Sequence, residues 1–323
     1  MDKRVYGVLG ISSIMSNWNA DFSGYPKTTS DGETFGSDKA LKYPMKKMWD
    51  NEGKKVIYIK SMDFSENKGA VTLVPRTLKQ RYEHLFNVKD LKECKDIKEI
   101  LKNLMSAVDV KNFGATFAES GSNISITGAV QIGQGFNKYE GTNPEEQQIL
   151  SPFRVDTAKG KESKSTEGES EKSDEAKNST LGTKIVSNEA HYFYPFVINP
   201  LAYKELVELG VTEGYTEEDY LNFKRTSLVS ATAFATNSKI GCENEFALFV
   251  ETKQDAYLPN LSEYIVFEKG LEINTIKVQC ADLLEKFGDA IESAEIYYNP
   301  HTTKLEGISN QFKLYDIRTQ KEV

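Results

Sequence analysis

The sequence predicts a mixed α+β fold built on an antiparallel, ferredoxin-like sheet, and three observations favour this class. Strand and helix signals alternate along the chain instead of forming separate blocks. The chain opens with a strand, a polar loop, a helix and a second strand, the order found in the first half of a ferredoxin-like sheet. At 323 residues the chain is long enough to bury a sizeable core, and we expect residues 1–323 to form one domain with insertions.

The first half supplies an opening strand and two helices. Arg4–Ser13 is a strand candidate, and Ser37 can cap a helix over Asp38–Asp50, because its hydroxyl can accept from the free amides of the first turn. Residues 88–108 predict an amphipathic helix, since apolar side chains recur there at three- and four-residue steps: Leu91, Cys94, Ile97, Leu101, Leu104 and Val108. Further strands are predicted at Lys55–Lys60, Phe113–Ala118 and Asn123–Ile132, the last two joined as a hairpin.

The second half continues the alternation after a stretch of unusual composition. Residues 156–180 contain seven acidic and no large apolar side chains, so they cannot bury enough surface to offset chain entropy. We expect a disordered loop tip there, with an interdomain linker as the alternative. Thr216 and Asp219 resemble a capping box. The remaining predicted elements are a strand at His191–Ile198, a helix from Glu217 to about Thr236, strands at Asn244–Glu251 and Glu263–Glu268, a helix at Thr275–Phe287 and a strand at Ala294–Tyr298.

Composition limits the classes of protein to consider. The apolar runs are short, as at Ala247–Val250, and the N-terminus lacks a long apolar segment, so neither a transmembrane helix nor a secretory signal is predicted. Cys94, Cys242 and Cys280 are widely separated and match no zinc or disulfide spacing. Reduced thiols and a cytoplasmic location are the simplest interpretation.

Charge is distributed unevenly along the chain, although the net charge is −8. Residues 1–113 carry 20 basic against 15 acidic side chains, whereas residues 181–323 carry 13 against 22. Such asymmetry suits head-to-tail pairing of copies, or a groove that confines a polyanion, and chance variation of surface charge is the alternative.

Motifs for catalysis and for metal or nucleotide binding are missing from the sequence. His84, His191 and His301 are isolated, each expected at the surface or at its boundary, and no nucleophile elbow, paired C-x-x-C or Walker A sequence occurs. Asp31 could activate water or hold a divalent ion as a nuclease does, but Asp31-Gly32 is also typical of a turn. We therefore expect no catalytic residue, no metal site and no cofactor.

The strongest candidate site is basic. At 100° per residue, Lys39, Lys42 and Lys46 project within an arc of about 60° on the helix that follows Ser37. Leu41, Met45, Met48 and Trp49 lie on a neighbouring arc, so the apolar side can face the sheet while a lysine row faces outward. Lysines contacting successive phosphates bind nucleic acid without regard to sequence, and a merely solvated lysine face is the alternative.

Two stretches of the chain resemble a known family. They are YGVLGISSIMSNWNADFSGYPKTTSDGETFGSDKALKYPMKKMWDNEGKKVIYIK and FGATFAESGSNISITGAVQIGQG, and together they span roughly the first 135 residues. The first closely resembles the N-terminus of the Cascade backbone subunit of type I-B CRISPR systems, the Csh-type or DevR branch of the Cas-seven superfamily. The second resembles another block of the same family.

This resemblance implies an RNA-recognition-motif-like antiparallel palm, with helical fingers inserted at residues 62–112 and a long thumb hairpin at residues 140–188. It implies a non-catalytic subunit that binds CRISPR RNA and polymerises head to tail along it. Guide bases would then be free to pair with target DNA, and the other partners would be further Cascade subunits, with no membrane contact.

The resemblance also implies which residues contact RNA. The loop with Asn17, Asn19 and Lys27 should line the groove, and Ser37, Lys39, Lys42 and Lys46 should hold phosphates. Gly128 and Gln131 should lie close beneath the RNA, and Arg154 and Lys184 should form the thumb stem. The chain lacks the aromatic motif by which RNA-recognition sheets stack bases, and its acidic thumb tip is unexpected beside RNA. The alternative function is that of a type III-like subunit that cuts target RNA with Asp31.

Overall fold

The computed structural model describes residues 1–67, 69–94, 96–154 and 179–323. The polar stretch predicted to be disordered, residues 156–180, therefore lies outside the described residues except for its last two positions.

Strands and helices alternate along the described chain. The first part contains β1 (Arg4–Ser16), β2 (Phe35–Gly36), α1 (Asp38–Asn51), β3 (Met62–Asn67), β4 (Ala70–Pro75), α2 (Leu78–Phe86), α3 (Ile97–Ser106), α4 (Val108–Phe113), β5 (Gly114–Glu119), β6 (Ser122–Thr127), β7 (Val130–Ile132), β8 (Gly135–Asn137) and β9 (Pro144–Arg154). The second part contains β10 (Ser179–Ile198), α5 (Lys204–Glu208), α6 (Glu217–Ala233), β11 (Cys242–Thr252), β12 (Ile265–Glu268), β13 (Asn274–Val278), α7 (Ala281–Phe287), β14 (Ile291–Tyr298), β15 (Thr303–Glu306) and β16 (Phe312–Asp316). The predicted α+β class is confirmed.

The opening strand lies at the centre of the main sheet. Its nine strands run in the order β16-β14-β11-β1-β10-β8-β2, with β7 and β9 also paired to β10. β1 is antiparallel to both neighbours, so that Leu9 lies opposite Tyr194 on one side and Ala247 on the other. Both faces of β1 are buried, which explains its continuous apolar sequence.

Each face of this sheet carries its own hydrophobic core. On one face α1 and α6 pack together, joined by a 2.8 Å hydrogen bond from Trp49 Nε1 to Thr226 Oγ1. On the other face Val8 and Leu248 pack against the small sheet β12-β13-β15 and α7. As predicted, Thr216 and Asp219 form a capping box at the start of α6. No helix among the described residues combines the length and the apolar content needed to cross a membrane.

The single helix predicted over residues 88–108 is wrong. The segment is divided into a short 3₁₀ turn at Leu91–Glu93, then α3, then the start of α4. Asp90 and Asp96 cause the division, because their side chains accept hydrogen bonds from the backbone amides of Lys92 and Lys98, at 3.0 and 2.9 Å, and so begin new turns.

The strand predicted at Lys55–Lys60 is also wrong. The backbone amides of Ile57 and Tyr58 donate to the buried carboxylate of Asp109, at 3.0 and 2.8 Å, instead of pairing with a strand. The carbonyl of Val56 accepts from the guanidinium of Arg81. Side chains from α2 and α4 therefore form hydrogen bonds with the backbone of this segment.

Two further predicted elements are divided in the structure. The strand expected over Asn123–Ile132 separates into β6, which pairs with β5, and β7, which pairs with β10. The helix expected over Thr275–Phe287 begins only at Ala281, because Ile276 and Val278 alternate at period two and pair as β13. Cys280 is buried at this junction, and burial raises the pKa of its thiol to about 11.

Two hairpins extend beyond the core of the main sheet. Within residues 62–112 the hairpin β3–β4 precedes the helices, although only helices were expected there. Within residues 140–188, β9 and the first half of β10 form a long antiparallel hairpin whose register runs from Pro144 opposite Ser187 to Arg154 opposite Ser179.

Candidate nucleic-acid interface

The candidate interface begins at the capped N-terminus of α1. The hydroxyl of Ser37 accepts from the amide of Ala40 at 3.3 Å, as its predicted capping role requires. The side-chain oxygen of Asn19 accepts from the amide of Ser37 at 2.7 Å. These bonds fix the start of the helix against the preceding loop, so Ser37 and Asn19 shape the interface even before any ligand binds.

Of the three lysines predicted to face outward from α1, only Lys39 is exposed, because the side chains of Lys42 and Lys46 are 15% and 16% exposed. Leu41, Met45 and Trp49 are fully buried against the sheet, as predicted, whereas Met48 is only partly buried. Pro44 is also buried, and the helix continues through it to Asn51. The sequence-based view of this helix as amphipathic is therefore confirmed.

The three predicted lysines surround one open cleft of about 640 Å³ between α1 and the start of β5. We call it the lysine cleft. Its lining comprises Asp38, Lys39, Lys42, Tyr43, Lys46, Tyr58, Phe113, Gly114, Ala115, Thr116 and Ile126.

The three lysines differ in their surroundings. Lys39 is exposed, Lys42 pairs with Asp38 at 2.8 Å, and the Nζ of Lys46 lies 3.9 Å from the Oδ2 of Asp109. Burial lowers the pKa of Lys46 despite the nearby carboxylate of Asp109. The ammonium groups of Lys42 and Lys46 lie 5.1 and 5.8 Å from the ring centre of Phe113. The cleft thus contains three cations in different surroundings, and two carboxylates and the ring of Phe113 hold Lys42 and Lys46 in place.

Asp109 supports this cleft from below, a role that was not predicted from the sequence. Burial raises the pKa of its carboxyl group, against the opposing effects of Lys46 and of the amides of Ile57 and Tyr58. The carboxylate fixes the segment that carries Tyr58, whose hydroxyl donates to the carbonyl of Thr116 at 2.7 Å. The signal in the sequence for a buried carboxylate was an acidic residue placed between two valines, Val108 and Val110.

The loop residues predicted to line the groove differ in position. Asn17 is only 5% exposed, and its amide donates to the carbonyls of Gly24 and Ile185, at 2.8 and 3.3 Å. Its side chain braces the loop and is closed to a ligand. Lys27 is partly exposed, with its ammonium 5.6 Å from the ring centre of Phe35.

Gly128 lies directly behind the wall of the lysine cleft. A Cβ there would lie 2.3–2.5 Å from backbone atoms of Asn112, Phe113 and Gly114. Gln131 is exposed but faces away, since it lines a separate cleft of about 390 Å³ with Gly133 and Pro195. The structure therefore places Gly128 at the lysine cleft and Gln131 outside it.

The two residues expected in the thumb stem lie on the β9–β10 hairpin. The ammonium of Lys184 donates to the side-chain oxygen of Asn237 at 3.3 Å. Arg154 is the last residue of β9, and its side chain lies outside the described part of the structure. Lys184 does not line the lysine cleft.

His191 contradicts the expectation that every histidine lies at or near the surface. It is 1% exposed, its Nδ1 lies 2.8 Å from a carboxylate oxygen of Glu245, and its Nε2 lies 2.9 Å from Glu189. The imidazole stacks on Phe267 at 3.8 Å. This arrangement ties the main sheet to the small sheet.

The remaining candidate for chemistry is Asp31. It is exposed on the predicted turn with Gly32, whose φ is +86°. In the described ranges no group of three histidine, cysteine or acidic side chains is placed to hold a metal ion.

Comparison with known proteins defines the family. The model of the family described as CRISPR-associated protein Cas7 matches residues 3–292. A solved chain from a structure described as a CRISPR RNA-guided surveillance complex, pre-nicking, is 16% identical, with 97% of this chain and 96% of that chain covered and a TM-score of 0.53. A second, described as a CRISPR RNA-guided surveillance complex, is 15% identical over 99% of this chain and 93% of that one, with a TM-score of 0.45. No curated protein matches the sequence.

The protein is an α+β sheet protein with a lysine-lined cleft on the first helix after its central strand. The family model matches it over most of its length. The chain belongs to the CRISPR-associated protein Cas7 family. The first of the two solved chains shares its fold.

Proposed function

We propose that the chain is a non-catalytic, RNA-binding backbone subunit of a Cascade-type complex. The observation that carries this proposal is the lysine cleft, in which Lys39, Lys42 and Lys46 face one open surface of a Cas7-family chain. Cations spaced along one helix face can contact successive phosphates of a single strand, whatever its sequence. The protein would hold the backbone of a CRISPR RNA while base pairing with target DNA reads the sequence.

We further propose the type I-B, Csh-type or DevR branch, with an RNA-recognition-motif-like palm. The support is the antiparallel core β10-β1-β11-β14, with α1 and α6 packed on one face. Residues 62–112 would be the fingers and residues 140–188 the thumb, for which the β9–β10 hairpin supplies a long projecting ribbon. Asn17, Asn19, Ser37 and Gly128 would shape the RNA site from behind.

Assembly would bring copies together head to tail, with other Cascade subunits as further partners in the cytoplasm. The basic first third and the acidic last part of the chain favour contacts between unlike surfaces of neighbouring copies. Lys27, Lys184 and Arg154 would add contacts along the RNA path, and Gln131 would contact RNA only beyond the lysine cleft.

The test is binding of a single-stranded RNA across a range of salt concentrations. Replacing Lys39, Lys42 and Lys46 together by alanine should weaken binding and reduce the salt slope by about two units, at roughly 0.7 per lost phosphate contact. The control replaces two exposed lysines that do not line the lysine cleft, Lys304 and Lys313, and should change the slope little. An unchanged slope in the triple variant would remove the lysine cleft from the RNA path.

A further inference from the structure

The lysine cleft also contains aromatic rings, and they are not equivalent. Lys42 and Lys46 lie over the ring of Phe113, and Lys46 also lies 5.6 Å from the ring centre of Tyr58. Because ammonium groups occupy these rings, Phe113 and Tyr58 orient the lysines. Among the described residues, no ammonium or guanidinium lies over the ring of Tyr43, the third aromatic side chain of the cleft.

Tyr43 is exposed and yet held in one orientation. The residue is 42% exposed. Its ring meets Phe234 edge to face, with ring centres 5.5 Å apart and an interplanar angle of 69°. It directly follows Lys42 in the chain and precedes the buried Pro44, so the backbone beneath it is fixed by packing.

We propose that Tyr43 is a stacking platform for one nucleobase of the bound RNA. This rests on the proposed function, because the strand must first enter the lysine cleft. Proteins that bind single strands without sequence preference combine a cationic groove with aromatic rings on which bases stack. Here the two parts lie side by side in one cleft of about 640 Å³, a volume within the range of small-ligand sites. A base on Tyr43 would place its own phosphate beside Lys39 and Lys42.

Helix α1 would then contribute a stacking surface as well as positive charge. The sequence lacks the aromatic motif with which RNA-recognition sheets stack bases. Tyr43 supplies such a ring from the helix instead. Stacking on this ring would add binding affinity that requires a nucleobase and does not depend on the phosphate charge.

The experiment compares a single-stranded oligoribonucleotide with an abasic strand of equal length and charge. Wild-type protein should prefer the base-bearing strand, and Tyr43→Ala should reduce that preference by about 5- to 150-fold, with an unchanged salt slope. Tyr43→Phe should keep it, because the ring remains. Lys39→Ala should weaken binding to both strands equally. The matched control is Tyr257→Ala, which removes an exposed tyrosine outside the cleft.

The outcomes separate the two proposals. If wild-type protein binds neither strand, the proposed function fails and the stacking platform fails with it. If it binds RNA but Tyr43→Ala keeps the full preference for bases, only the stacking platform is overturned. If Tyr43→Ala instead alters self-association without RNA, the ring packs against another copy, which also overturns it. Circular dichroism melting of each variant confirms that the fold is retained.

Discussion

The ammonium of Lys46 lies 3.9 Å from the carboxylate of Asp109 beneath the lysine cleft. Asp109 is almost completely buried, and the same carboxylate accepts from the amides of Ile57 and Tyr58. One side chain therefore joins a cleft lysine to the backbone that forms the cleft floor.

Replacing Asp109 by alanine should lower the free energy of unfolding by about 2–6 kcal/mol, because two amide donors lose their partner and each costs about 1–3 kcal/mol. Asp109→Asn should cost less, since its carbonyl oxygen can still accept one of the two amides. Urea unfolding of both variants measures the difference. Equal stability of Asp109→Ala and wild type would contradict the bracing role.

Gly128→Ala should damage both stability and RNA binding. The added methyl group would meet backbone atoms at 2.3–2.5 Å, and overpacking of this kind costs about 1–3 kcal/mol. Relief requires movement of Phe113 and Gly114, which line the lysine cleft. The control is Gly182→Ala, where the nearest atom outside the adjacent residues lies 3.9 Å from the new carbon. If thermal melting and RNA titration were the same for both variants, Gly128 would have no role at the cleft.

Local signals in the sequence were enough to predict α1, its cap at Ser37 and the lysine row, because each depends on neighbours within one or two helical turns. The role of Asp109 was missed because its amide partners lie 51 and 52 positions away in the chain. His191 was misplaced for the same reason, since Glu245 is 54 positions away. Asp90 and Asp96 are local capping signals, but the regular apolar spacing of residues 88–108 predicts an unbroken helix through them.

The His191 cluster should make stability depend on pH. Burial alone would lower the pKa of His191, but the carboxylates of Glu245 and Glu189 outweigh it and raise the pKa. Lys269, which pairs with Glu189 at 2.7 Å, is the other charged group at the cluster. A raised folded-state pKa means that the stabilisation is complete below the unfolded pKa of about 6.5 and is lost as pH rises through the folded value.

The measurement is the free energy of unfolding of wild type and His191→Gln at pH values from about 5.5 to about 9. The difference between the two proteins should be largest at the acidic end of this range and should narrow as pH rises. His84→Gln, which removes a histidine on α2 outside this cluster, is the control for the loss of an imidazole elsewhere in the chain. A constant difference across the range would show that the imidazole does not change protonation there.

Asp31→Ala should not change the result when assembled complexes are tested for cleavage of complementary RNA. A divalent ion that supports RNA cleavage needs several oxygen ligands, and Asp31 stands on an exposed turn without two further metal-binding side chains among the described residues. The measurement is incubation of end-labelled complementary RNA with magnesium and the assembled complex. The RNA should remain intact with wild type and with Asp31→Ala. Asp289→Ala, which removes an exposed acidic side chain elsewhere, is the control. Cuts at regular intervals by wild type that disappear in Asp31→Ala would instead make this chain a nuclease, because only the loop carboxylate would then explain the loss.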